Sequence, residues 1–147
     1  MKIMAAVDQS HIGDAVVEMT RQVACNATEP VLLVSVAPRE PDAFGRQVVR
    51  KVVKDPVPAE LRERRELLNR LAGELREAGV ECDTLMVRGD PGPTLVHEAK
   101  RAGASLIVMG SHGRSALFRS FVGSVSEYVM ANGRVPVLVV PARAVGT

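Results

Sequence analysis

The chain has 147 residues, 46% of them hydrophobic and 24% charged, so it can bury one sizeable core and sits near the composition of ordinary globular proteins. Collagen-like, disordered and disulfide-scaffold classes are excluded. Its 19 Lys and Arg against 17 Asp and Glu leave a formal charge of +2, aromatics reach only 3%, and there is no Trp. That charge is too small for a phosphate-backbone partner and those aromatics too few to stack bases, so nucleic acid is not expected as a partner.

No apolar run approaches the ~18 residues of a membrane helix, and Asp8 interrupts the start MKIMAAVDQS before a signal-peptide core forms. No membrane is therefore expected, the expected location is cytoplasmic, and residues 1–147 read as one domain. Cys25 and Cys82 lie in no CxxC pair and read as small buried apolar groups kept reduced.

In chain order, Lys2 to Val7 is a short apolar run ending in Asp8-Gln9-Ser10, with Ser10 as a helix N-cap. Ile12, Ala15, Val16, Met19 and Val23 then fall on one helical face. Val31 to Val36 is short, branched and apolar, a buried strand closed by Pro38. Residues 39–58 are polar and irregular, so a mobile loop is expected there, with a helical piece around Gln47 to Val53. Its basic residues Arg46, Arg50, Lys51 and Lys54 either cover a ligand's phosphates or are simply solvated. Pro58 opens the next helix, Leu61, Leu68, Leu71 and Leu75 share a face, and Gly79 stops it. The alternating Arg and Glu from Glu60 to Arg70 read as that helix's salt-bridged solvent face.

Val80 to Val87 partly alternates as a strand, and Pro91 and Pro93 open a helix carrying Leu95, Ala99 and Ala102, ended by Gly103. Ser105 to Met109 is the next strand. Beyond a glycine-containing loop, Phe121, Val125, Tyr128 and Val129 share a helical face, Asn132-Gly133 ends it, and Val135 to Val140 is the last strand.

Strand and helix alternate to five strands and four helices, which implies an α/β fold: an open, Rossmann-like parallel sheet with helices on both faces. In such a sheet ligands bind beyond the carboxyl ends of the strands, where the strand order reverses. Three segments stand there: Asp8 after the first strand, Val36-Ala37-Pro38 after the second, and Gly110-Ser111-His112-Gly113 after the fourth. After nine intervening residues, Gly123-Ser124 opens a helix. Gly110 is expected to turn at positive φ, and Gly113 to let backbone approach an anion. Gly123-Ser124 offers N–H groups and a hydroxyl at the positive end of a helix dipole. A lone pair of glycines would read as a plain strand-to-helix turn; the joint spacing through Ser124 points to phosphate. His11, His97 and His112 are too scattered for a metal motif.

Four features resemble the ATP-binding members of the universal stress protein family: Ile107-Val108-Met109-Gly110-Ser111-His112-Gly113-Arg114, the glycine spacing through Ser124, Asp8, and the closing strand Val135-Pro136-Val137-Leu138-Val139-Val140. The resemblance covers nearly the whole chain, is weakest over 39–58, and departs at Gln9, where a small residue is common. It implies the strand order 3-2-1-4-5 and an ATP site, with magnesium carried on the phosphates. Ala6, Val7 and Asp8 would lie against adenine and ribose, Asp8 accepting hydrogen bonds from the nucleoside, and Val36 would meet the adenine edge through its backbone. Met109, Gly110 and Gly113 would wrap the ribose and first phosphates, and Gly123, Ser124 and Val125 would hold the outer ones. Arg114 either adds a charge there or is a solvated loop arginine. In that order the last strand is an apolar sheet edge guarded only by Pro136, so a homodimer through it is expected.

The function expected is an ATP-binding stress-response or regulatory protein with slow or no hydrolysis, because no GxxxxGK loop and no evident general base stand in the sequence. No catalytic or metal-ligating residue is assigned. An alternative is an adenine-nucleotide-dependent enzyme on the same frame, performing adenylyl transfer or ATP hydrolysis; adenylyl transfer calls for an SGG-type loop that Ala6 to Ser10 lacks. A third class, an interaction module with an empty crevice, is disfavoured by the intact glycine spacing.

Overall fold

The computed structural model describes residues 2–8, 12–38, 51–54, 56–111 and 123–141. In chain order its elements are β1 (Ile3–Ala6), α1 (Gly13–Ala27), β2 (Val31–Ala37), β3 (Lys51–Val52), α2 (Arg62–Glu77), β4 (Cys82–Arg88), α3 (Pro91–Ala102), β5 (Leu106–Gly110), α4 (Ser124–Asn132) and β6 (Val137–Val140). The sheet runs β3-β4-β2-β1-β5-β6. Its five parallel strands, counted by themselves, have the order 3-2-1-4-5, as the family resemblance implied.

The sixth strand corrects the sequence reading. Lys51 and Val52 do not continue a helical piece; they pair antiparallel with Arg88 and Val87, and Val53 N–H donates to Met86 O at 3.0 Å. The outer edge of β4 offers unsatisfied backbone groups, and the branched pair Val52-Val53 suits a pleated partner better than a helix. The rest of the expected loop, 39–50 and 55, lies outside the described residues, as do Ser10, His11, His112 and Phe121.

Both faces of the sheet are covered, which is why its strands read as continuous apolar runs. On one face Leu68, Leu71 and Leu75 of α2, fully buried, pack with Val16 and Val17 of α1 against Ile3, Leu33 and Met86. On the other, Leu95 and Ala99 of α3 and Val129 of α4 cover Met4, Val34, Ile107 and Met109. The glycines expected to stop helices do so in left-handed geometry, Gly79 at φ 84° and Gly103 at φ 66°. Helix α1 instead ends on Thr28 at φ 55°, an uncommon place for a β-branched residue.

Several burial expectations shift. The inward face of α1 is Val16, Val17, Thr20 and Ala24, with Ala15, Met19 and Val23 at its margin; Thr20 fits because its hydroxyl donates back to Val16 O at 2.7 Å. Cys82 is buried, which pushes its thiol pKa up, but Cys25 is exposed near the end of α1. Tyr128 is 40% exposed, its ring lying over Gly92 of α3, while Ser126 and Val129 are buried. The charged face of α2 does form ion pairs, Arg70 with Glu74 at 2.8 Å and with Asp14 of α1 at 3.4 Å, yet Arg64 within it is buried. No described helix is long and apolar enough to cross a membrane.

Candidate functional site

The site begins where β1 stops and β2 does not. Pairing of β1 with β2 ends at Ala6 and Val34, where Val7 N–H donates to Val34 O at 2.9 Å, while β2 runs on to Ala37 beside β4. Alternate residues of a strand turn their backbone groups to the same side. Val36 therefore presents an N–H and a C=O to the space that β1 has left.

A cavity of about 570 Å³ occupies that space, within the usual range for small-molecule sites. It brings together Ala6, Val7 and the half-buried Asp8 from the end of β1, Val36 from β2, Met109 and Gly110 from β5, and Gly123, Ser124 and Val125 at the start of α4. Gly113 and Arg114 lie outside the described residues.

At the α4 end the loop leaving β5 is stitched at both of its ends. Ser111 N–H donates to Val140 O at 2.9 Å, Gly123 N–H donates to Ser111 O, and the buried Ser126 hydroxyl donates to Gly110 O at 2.7 Å. These bonds aim the first turn of α4 at the cavity, where its amide groups favour an anion by roughly 0.3–1 kcal/mol, more when partly buried. Gly110 corrects an expectation: it is not among the described positive-φ residues. Its missing side chain instead makes room for Ile12 at the entrance to α1: a Cβ there would lie 2.9 Å from Ile12 Cδ1 and 3.1 Å from its Cγ2, so Ile12 would have to shift. Gly123 likewise sits at φ −63°, so it keeps the helix start open without a special backbone conformation.

Sequence reasoning missed Arg64, Asp90, Ser111 and Ser126, all of which line the cavity. Arg64 left a signal, since it falls between Leu61 and Leu68 on the apolar stripe of α2, where a charged residue needs a partner. Its Nη1 donates to the buried Ser35 Oγ at 2.9 Å and to Val36 O at 3.3 Å. Ser126 likewise marks a polar group on the inward side of a helix. At the rim, Arg88 donates to Pro38 O at 3.4 Å and to Glu60 Oε1 at 2.9 Å. The backbone N–H of Glu60 and then Arg88 hold that carboxyl below its usual range. His97 is exposed, and among the described residues no three His, Cys, Asp or Glu side chains group as metal ligands.

One end of this cavity thus carries a donor and acceptor pair between apolar walls, the other a helix N-terminus, with a carboxylate from β1 between them. The model of the universal stress protein family matches residues 1–141. The chain belongs to the universal stress protein family. Among its relatives, universal stress protein Sll1388 of Synechocystis is 26% identical over 95% of this chain and 96% of its own length. Two solved members share the fold. MJ0577 of Methanocaldococcus jannaschii superposes with a TM-score of 0.75 at 25% identity, covering 95% of this chain and 94% of that one. A family structure from Archaeoglobus fulgidus in complex with dAMP gives 0.69 at 25% identity, covering 95% and 96%.

Proposed function

We propose that this universal stress protein binds ATP across the cavity and holds it with slow or no turnover. The observation that carries the reading is the placement of the Val36 backbone pair and the α4 N-terminus at opposite ends of one cavity. Adenine offers a ring nitrogen acceptor beside an amino donor, the complement of the Val36 N–H and C=O. Ribose hydroxyls donate to Asp8. Phosphates accept from the N–H groups of Ser124 and Val125 and the Ser124 hydroxyl, while Gly123, whose own N–H is held by Ser111 O, leaves their approach free of a side chain; Gly110, Gly113 and Arg114 are supplied by the segment leaving β5, and magnesium rides on the phosphate oxygens. The Archaeoglobus relative in complex with dAMP supports an adenine nucleotide as the ligand class.

The reading extends to a single-domain cytoplasmic protein of stress response or regulation, dimeric through β6. That strand ends the sheet, pairs only with β5 among the described strands, and leaves Val137, Leu138 and Val139 only half-buried on the sheet's two faces beside its open edge. One purified sample tests both parts. Mass spectrometry after denaturation identifies an adenine nucleotide, and light scattering gives twice 15.8 kDa. A protein that carries no nucleotide and takes up none when incubated with ATP and magnesium overturns the ligand; a 15.8 kDa particle overturns the dimer.

A further inference from the structure

Arg64 is 7% exposed and lies at the β2 end of the cavity. Helical side chains tilt toward the N-terminus, so from the first turn of α2 the guanidinium runs back to the strand end, where it meets Ser35 Oγ and Val36 O. The group is permanently charged. It stands apart from the phosphate-facing amides of α4, because β1 separates β2 from β5, two strand spacings or about 10 Å. A cation at this end therefore acts on the base.

We propose that Arg64 sets the base preference of the cavity, weakening its discrimination in favour of a 6-amino over a 6-oxo purine. The inference rests on the nucleotide-binding reading above. A carbonyl oxygen has two lone pairs, and Arg64 engages one of those on Val36. An acceptor already polarised by a cation binds a second donor less strongly, which handicaps the amino group of adenine. The same positive charge favours an oxygen at that position of the base. Position is not at issue, since β4 holds Val36 in register with Val87 whether or not the guanidinium is present. Arg64 is thus a specificity residue acting through the Val36 carbonyl.

The test compares affinities for ATP and inosine triphosphate in the wild type, Arg64→Met and Arg64→Lys, with thermal unfolding as the check on folding. The expected result is an ATP-to-inosine-triphosphate affinity ratio about five- to tenfold higher in Arg64→Met, while Arg64→Lys, which keeps the cation, stays near the wild-type ratio. Ribose triphosphate, lacking the base, binds wild type and Arg64→Met alike. If Arg64→Met does not fold, Arg64→Gln carries the same comparison, keeping a donor without the charge. A ratio that is unchanged or lower in the folded neutral variant overturns the inference. A wild type that binds neither nucleotide overturns the nucleotide-binding reading itself, and the inference with it.

Discussion

At the β5–α4 end of the cavity the fit depends on side chains being absent or small: Gly110 admits Ile12, and Ser126 ties its helix to Gly110 O. At the β2 end the ligand-facing groups of Val36 are main chain, and a single long side chain, Arg64, modulates them. The two ends therefore respond differently to mutation. Side-chain changes damage the first, while at the second a change at Val36 itself is tolerated, because any residue but proline supplies the same N–H and C=O, and only Arg64 among the side chains there is expected to matter.

The largest expected effect is at Gly110. Gly110→Val places new methyl groups against the buried Ile12, and overpacking of this kind costs about 1–3 kcal/mol, read as a lower midpoint in urea unfolding. Wild-type stability would break the claim that Gly110 is a packing glycine. Next, Ser126→Ala removes the buried hydroxyl from Gly110 O and should cost about 1 kcal/mol, with weaker ATP binding as the start of α4 loosens. Stability and affinity both equal to wild type would remove the stitch from the account. The smallest effect is at the other end: Val36→Ala should change ATP affinity by less than about threefold, equivalent to well under 1 kcal/mol. A loss near that of a phosphate-end variant would mean that the Val36 side chain, not its backbone, reads the base.

This contrast also separates what was legible in the sequence from what was not. The parallel strands announced themselves as short branched runs, and Gly79 and Gly103 marked helix ends that do require left-handed backbone. The α4 end was legible because glycine spacing is a property of residue identity, although the reason for Gly110 was not: its neighbour Ile12 is remote in sequence. Backbone reading at Val36 is invisible to residue identity; it follows from β2 outrunning β1, which only register reveals. Arg64 was hidden by its charge, which matched the Arg and Glu alternation around it, though its place on the leucine stripe carried the contrary signal. The partial exposure of Tyr128 was not legible because helical periodicity fixes a face only to within a residue or so, and that of Cys25 because residue type alone does not place a side chain on a helix.

The central claim, that the cavity holds ATP with its phosphates on the first turn of α4, is tested most directly by calorimetric titration of ATP into the wild type and Gly123→Val. Gly123 has φ −63°, so valine fits the backbone and the variant should melt like the wild type, but its side chain crowds the amides that face the phosphates. The account predicts binding by the wild type and an affinity lower by about tenfold or more in the folded variant. Equal affinity in the two proteins, or no heat of binding in either, would contradict it.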